Sequence, residues 1–218
     1  MARRSALAML DLEKNGLTTA DILSEKSLEN ALALHCAFGG STNLIMHLPA
    51  IAHQAGLKRP NVNDWRRFNA EIPRLVDALP NGPQHFATVQ VFLAGGVPEV
   101  MLHLRDMGKL HLDVMTVTGQ TLGENLEWWE YSERRIRLKE KLTQLDSINP
   151  NDVIQSPARA RENGLTPTVT FPQGNLAPEG SLIKSTAIDP SLIDDQGIYL
   201  HEGPARVFTS EPDRKSVV

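Results

Sequence analysis

The chain changes texture once, at Ile148-Asn149-Pro150. Before that point apolar residues recur at spacings of three and four between glycine stops, the rhythm of amphipathic helices. After it come Thr168-Val-Thr-Phe171, Ser181-Leu-Ile-Lys184 and Ala205-Arg-Val-Phe208, short runs parted by Pro, Gly and Asp that read as strands. The contrast predicts an α/β, helix-rich chain with a domain boundary near 148, dividing it into residues 1–147 and 148–218. Three strands are too few for a stable barrel or sandwich. The second part is therefore expected to be the incomplete start of a domain.

The glycine stops fix most of the helix ends. A run of good helix formers over 2–14 meets Asn15-Gly16, and a short helix capped by Thr18 or Thr19 reaches Leu23. The next helix, from about Ser24 to Phe38, breaks at Gly39-Gly40. Ser41-Thr42-Asn43 then offers caps for a helix carrying Leu44, Leu48, Ile51 and Ala55, closed by Gly56 with Pro60 beyond. Asn63 or Asp64 starts a further short helix that fails before Pro73, and Pro80-Asn81-Gly82-Pro83 is a turn cluster. Pro98 sits where a first helical residue belongs, and Gly108 ends that segment. A long charged stretch from Thr121 to Leu145 is expected to break, if anywhere, near Tyr131-Ser132.

Composition narrows the class. A globular chain of 218 residues buries about 70% of its unfolded surface, so a real core is available. With 22 basic and 26 acidic residues the net charge is −4, against a general nucleic-acid binder with its basic stripe. No apolar run approaches the roughly 20 residues a membrane span needs, and Asp11 and Glu13 interrupt the N-terminal apolar stretch too early for a secretory signal. One cysteine excludes a disulfide framework, or a multi-cysteine metal site built from this chain alone. The expected compartment is the cytoplasm.

The sharpest local feature is Phe38-Gly39-Gly40-Ser41-Thr42-Asn43, glycines running straight into a capped helix. A helix start offers unpaired N–H groups and partial positive charge, which suits a carboxylate or phosphate. The same pattern also serves an ordinary capped loop, the commoner case. Gly174-Asn-Leu-Ala-Pro-Glu-Gly180 followed by Lys184 can present two charges to a polar site, or can simply connect strands. Thr116-Val-Thr-Gly-Gln-Thr121 lacks the spacing of a phosphate-binding P-loop. The seven histidines form no helical zinc pattern, and His47 and His53 fall on different helix faces. Cys36, in an apolar helix, reads as a small buried hydrophobe. Trp128-Trp129 reads as partly buried packing.

Longer stretches say more than these spacings. Leu28-Glu-Asn-Ala-Leu-Ala-Leu-His-Cys-Ala-Phe-Gly-Gly-Ser-Thr-Asn43, continuing through Leu48-Pro-Ala-Ile-Ala-His-Gln-Ala-Gly56, resembles the dihydroxy-acid and 6-phosphogluconate dehydratase family. So do Ala94-Gly-Gly-Val-Pro-Glu-Val100, Val117-Thr-Gly-Gln-Thr-Leu-Gly-Glu-Asn-Leu126, Gly174 to Gly180 and Gly203-Pro-Ala-Arg-Val-Phe208. The likeness runs in order over residues 2–212. Asn125-Leu-Glu-Trp-Trp-Glu130 and Ile183-Lys-Ser-Thr-Ala-Ile-Asp-Pro190 look most like the bacterial sugar-acid branch, which acts on aldonates such as D-xylonate.

The resemblance implies a hydro-lyase that converts a 2,3-dihydroxy acid to a 2-keto-3-deoxy acid. It implies an iron–sulfur cluster as Lewis acid on the departing hydroxyl, and Mg²⁺ holding the acid while a serine alkoxide removes the C2 proton. It also implies a homo-oligomer, with no nucleic-acid or membrane partner. In fold it implies the end of a three-layer α/β domain followed by the start of a C-terminal β-barrel-like domain. The family's cluster cysteines and metal ligands have no counterpart here, nor does the Arg-Phe-Ser-Gly segment carrying the base. Cys36 matches no cluster position. No catalytic or metal residue is therefore assigned, and the chain alone is expected to be inactive. Gly39, Gly40, Ser41, Thr42 and Asn43 are the candidate substrate-binding residues. The ending Asp213-Arg-Lys-Ser-Val-Val218 departs from the family pattern. Two readings stand: a segment of a working sugar-acid dehydratase, or a non-catalytic remnant with at most a subunit-contact role.

Overall fold

The computed structural model describes residues 2–215, so Ser216–Val218, at the end of that departure, lie outside the described residues. Two compact units are present, Met1–Ala187 and Ile188–Val218. The first is built from helices: α1 Ala2–Lys14, α2 Thr19–Ile22, α3 Glu25–Phe38, α4 Thr42–Gln54, α5 Val62–Glu71, α6 Thr88–Leu93, α7 Gly96–Asp106, α8 Leu122–Tyr131, α9 Glu133–Asp146, α10 Pro150–Val153 and α11 Pro157–Glu162.

The punctuation read from the sequence sits where the helices end. Gly16, Gly39, Gly56 and Gly108 all take left-handed φ values between 66° and 69° just beyond a helix. Ser132 both ends α8 and caps α9, its hydroxyl accepting from the Arg135 N–H. Two starts fall earlier than the residue types suggest. Asn61, not Asn63, caps α5, with its side-chain oxygen accepting from the N–H groups of Asn63 and Asp64. Pro98 is the third residue of α7, still within the turn whose N–H groups have no helical partner.

α3 is the hub. Its face carrying Leu28, Leu32, Ala33 and Ala37 is buried, and it packs on α4, α5 and α7. Trp65 and Phe68 of α5, Val100 and Leu104 of α7, and Leu142 of α9 complete the same core. Each such side chain contributes about 1.5–3 kcal/mol by leaving water. A smaller apolar cluster of Leu102, Val114, Leu122, Leu126 and Trp129 joins α7 to α8.

One buried charge ties α7 to α8 and α9. Glu99 is only 5% exposed. It accepts hydrogen bonds from Arg135 Nε at 2.7 Å, Arg135 Nη2 at 2.8 Å, Lys139 Nζ at 2.6 Å and Trp129 Nε1 at 3.4 Å. Burial pushes its pKa up, but the donors and charges of Arg135 and Lys139 outweigh that and hold it at about 2. The stabilisation is complete above the ordinary value of 4.5 and is lost as pH falls toward about 2.

The expected sheet is reduced to isolated bridges among the described residues. Val76 pairs with Ile154, with the Asp77 N–H on Val153 O at 3.0 Å and the Gln155 N–H on Leu75 O at 2.8 Å. Thr170 and Ile183 exchange two bonds of 2.9 Å, so the first two predicted strands do meet, for one pair only. Ala205–Phe208 forms no strand. Val207 is 86% exposed, and a segment with no apolar face to bury gains nothing from pairing. The apolar core itself continues past 148, taking in Val153, Ile154, Ala160, Leu165, Val169 and Phe171.

The turn cluster after this bridge wraps a buried acid. Asp77 is 1% exposed and its carboxylate accepts from the Gln84 N–H. Gly82 lies so close to Asp77 Oδ1 that any Cβ there would overlap it. Burial raises the Asp77 pKa, with the Gln84 N–H, Arg74 and His85 pulling the other way.

Most of the described residues of Ile188–Val218 are exposed. An Asx-type turn, with Asp194 Oδ1 accepting from the Gln196 and Ile198 N–H groups, supports a bridge of Ile193 to Tyr199.

Candidate functional site

The segment Gly39–Asn43 is a rigid corner between α3 and α4. The Gly40 N–H bonds back to His35 O at 2.9 Å and the Gly39 N–H to Cys36 O at 3.3 Å, the paired closure of a Schellman motif. Gly39 has φ 68°, and a Cβ there would stand 2.8 Å from both Arg74 Cδ and Thr168 Cγ2. A Cβ on Gly40 would overlap the His35 ring. Neither position has room for a side chain, so the two glycines are required by what lies behind them.

His35 is the post under this corner. It is 5% exposed, its ring lies edge-on to Trp65 with centroids 4.8 Å apart, and its Nε2 is 3.0 Å from Ser41 O. A carbonyl can only accept, so Nε2 carries the proton and donates. Burial lowers the His35 pKa, the bond to Ser41 opposing it in part, and the neutral ring is the stable form near neutral pH. Ser41 caps α4, its hydroxyl accepting from the Asn43 N–H at 3.2 Å. The Ser41 and Asn43 side chains are exposed and Thr42 is half-buried, which leaves the corner presented to solvent at the start of a 13-residue helix.

On the inner side of the corner stands Arg74, 3% exposed. It reaches this place because the Leu75 N–H bonds to Ala37 O at 2.7 Å, pinning the 74–77 segment to the last turn of α3. His35, Arg74 and Thr168 are the supports that motif reading did not single out. For Arg74 the signal was available: a lone arginine set in the apolar run Ile72 to Val76.

The other sequence candidates do not assemble a site. Glu179 and Lys184 are exposed and form no described ion pair with each other. Thr116, Thr118 and Asn125 satisfy one another's hydrogen bonds in an exposed turn. Cys36 is buried and its thiol is pushed up to about 12, so it is neither a nucleophile nor a ready thiolate ligand. Among the described residues no three His, Cys, Asp or Glu side chains converge as a metal would require. The residues present therefore do not fit an iron–sulfur cluster or a Mg²⁺ ion. Trp129 is buried, as expected of packing, while Trp128 is 60% exposed. No helix among the described residues is long and apolar enough to cross a membrane.

Comparison with known proteins converges on one family. Residues 1–125 match the family model described as dihydroxy-acid/6-phosphogluconate dehydratase N-terminal. Two Escherichia coli K12 proteins, D-xylonate dehydratase YjhG and D-xylonate dehydratase YagF, are 62% and 61% identical to it over 211 residues, 97% of the chain. A dihydroxy-acid dehydratase of Mycobacterium leprae is 38% identical over 212 residues, 96% of the chain. The chain spans 32% of the length of each of these relatives. It belongs to the dihydroxy-acid/6-phosphogluconate dehydratase family.

Proposed function

We propose that this chain is a segment of a sugar-acid dehydratase that removes water from an aldonate, D-xylonate being the substrate named for two of its relatives. The observation that carries this reading is 62% identity to one of them, sustained over 97% of the chain. In the reaction a proton leaves C2 and hydroxide leaves C3. The resulting enol tautomerises to the 2-keto-3-deoxy acid. The cluster and Mg²⁺ of the family would stabilise both charges, but their ligands are not supplied by the described residues.

What this segment contributes is a shaped wall. Gly39 to Asn43 line the acid's site, with the N–H groups and partial positive charge at the start of α4 facing a negative substrate. His35 and Arg74 hold that wall from behind. In the full-length enzyme, residues 1–147 would belong to the end of the α/β domain and residues 148–218 would lead into the β-barrel-like domain. The reading places the enzyme in the cytoplasm as a homo-oligomer.

The test is turnover of an aldonate panel by the full-length enzyme, followed as 2-keto acid formation. Dehydration of D-xylonate supports the assignment; no product from any aldonate overturns it and favours the non-catalytic reading. Within that enzyme, Thr42→Ala is expected to lower turnover about tenfold, more than any loss of stability explains. Unchanged kinetics would remove Gly39–Asn43 from the site.

A further inference from the structure

Two groups stand directly behind Gly39, the aliphatic part of Arg74 and the Thr168 methyl. Both lead to one short stretch of chain. Thr170 and Ile183 pair antiparallel, so two residues further along Ser185 falls opposite Thr168. There the chain leaves the pairing for a single 3₁₀ turn, Ser185–Ala187. Residues 181–184 and 187 are exposed, whereas Ser185 and Thr186 are half-buried.

The two hydroxyls make separate bonds. Ser185 Oγ donates to Pro167 O at 2.6 Å, the carbonyl of the peptide unit that carries the Thr168 nitrogen. Thr186 Oγ1 donates to Asn81 Oδ1 at 3.0 Å, and Asn81 O accepts from Arg74 Nη1 at 3.2 Å. One hydroxyl thus serves each of the groups behind Gly39. A cavity of about 90 Å³ lies among Gly39, Arg74, Asn81 and Thr168. Contact on that side is incomplete, so packing alone does not fix these groups and the hydrogen bonds carry more of the task.

We propose that Ser185 and Thr186 are positioning residues that clasp the Gly39–Asn43 corner from behind, Ser185 through Thr168 and Thr186 through Asn81 and Arg74. Any effect of the clasp on turnover rests on the reading of that corner as the acid's wall. The clasp itself uses only groups present in this chain.

The experiment is hydrogen exchange at the Gly39 amide of the 218-residue chain. Phe38-Gly39 is its one Phe-Gly pair, so ¹³C-carbonyl phenylalanine with ¹⁵N-glycine isolates that signal. Met107-Gly108, equally unique and at the end of α7, is the reference. Thr186→Val should speed exchange at Gly39 about tenfold and Ser185→Ala about fivefold, with Gly108 unchanged. Thr186→Ser keeps the hydroxyl and should restore the parent rate. Exchange at Gly39 that neither Thr186→Val nor Ser185→Ala moves overturns the proposal. So does an equal rise at Gly39 and Gly108, which marks a general loss of stability. In the full-length enzyme Thr186→Val should lower kcat about fivefold with KM little changed, again rescued by serine. Faster exchange at Gly39 with unaltered kinetics upholds the clasp and counts instead against the corner's place in the acid's site.

Discussion

Two glycine-rich turns of this molecule look alike in sequence and differ in what stands behind them. The Gly39–Asn43 corner is backed by a buried imidazole and a buried guanidinium, and both of its glycines face atoms that leave no space for a Cβ. The Gly174–Gly180 turn is closed by its own backbone, with Gly174 and Ala177 exchanging bonds of 3.1 and 3.3 Å. Its Leu176 is 96% exposed, and Gly174 has nothing within 4 Å of a Cβ position. Only its far end is docked, where Gly180, at φ 100°, lies against Val62. A turn whose glycines answer to buried neighbours is a fixed surface, whereas one closed on itself is a connection.

The comparison can be broken by substitution. Gly39→Ala is expected to cost about 2–4 kcal/mol, combining a left-handed φ with overpacking against Arg74 and Thr168. Urea unfolding of the chain measures this directly, and a loss below about 0.5 kcal/mol would mean the corner yields. Gly180→Ala should cost about 1–2 kcal/mol, less because the opposing atoms belong to one side chain near the surface. Acid offers the next contrast. The lowered pKa of His35 means the unfolded chain takes up a proton first, so this contribution is full above 6.5 and declines as pH falls below it. Unfolding midpoints across that range should slope downward in acid for the native chain and less so for His35→Gln. Equal slopes would remove the imidazole as the corner's support. Gly174→Ala and Leu176→Ser should both stay within about 0.5 kcal/mol of the parent; a larger loss would show that the second turn is docked after all.

The sequence made the corner visible but not its supports. Gly39-Gly40 followed by Ser41 is a local signal, since a helix stop and a helix cap depend on residues a few positions apart. Arg74 and Thr168 come from 35 and 129 positions along the chain, and no local pattern announces that they meet at Gly39. The short helices α6, α10 and α11 escaped for the opposite reason: four to six residues carry too little periodicity to distinguish them from loops. The strand reading failed where it rested on residue type alone. Ala205–Phe208 has strand-forming side chains, yet what decides pairing is a partner and an apolar face to cover, and among the described residues of Ile188–Val218 it meets neither. The family's motifs, by contrast, were legible because they are long and ordered.

The edge-on contact of His35 with Trp65 gives the corner an optical voice. Of the three tryptophans, Trp128 is exposed, Trp129 lies beside the Glu99 clamp, and Trp65 alone touches a titrating ring. A protonated imidazole withdraws excited-state electron density from a neighbouring indole, whereas a neutral one does so weakly. Emission from Trp65 should therefore dim as His35 takes up its proton, making the state of the corner readable by fluorescence without any label.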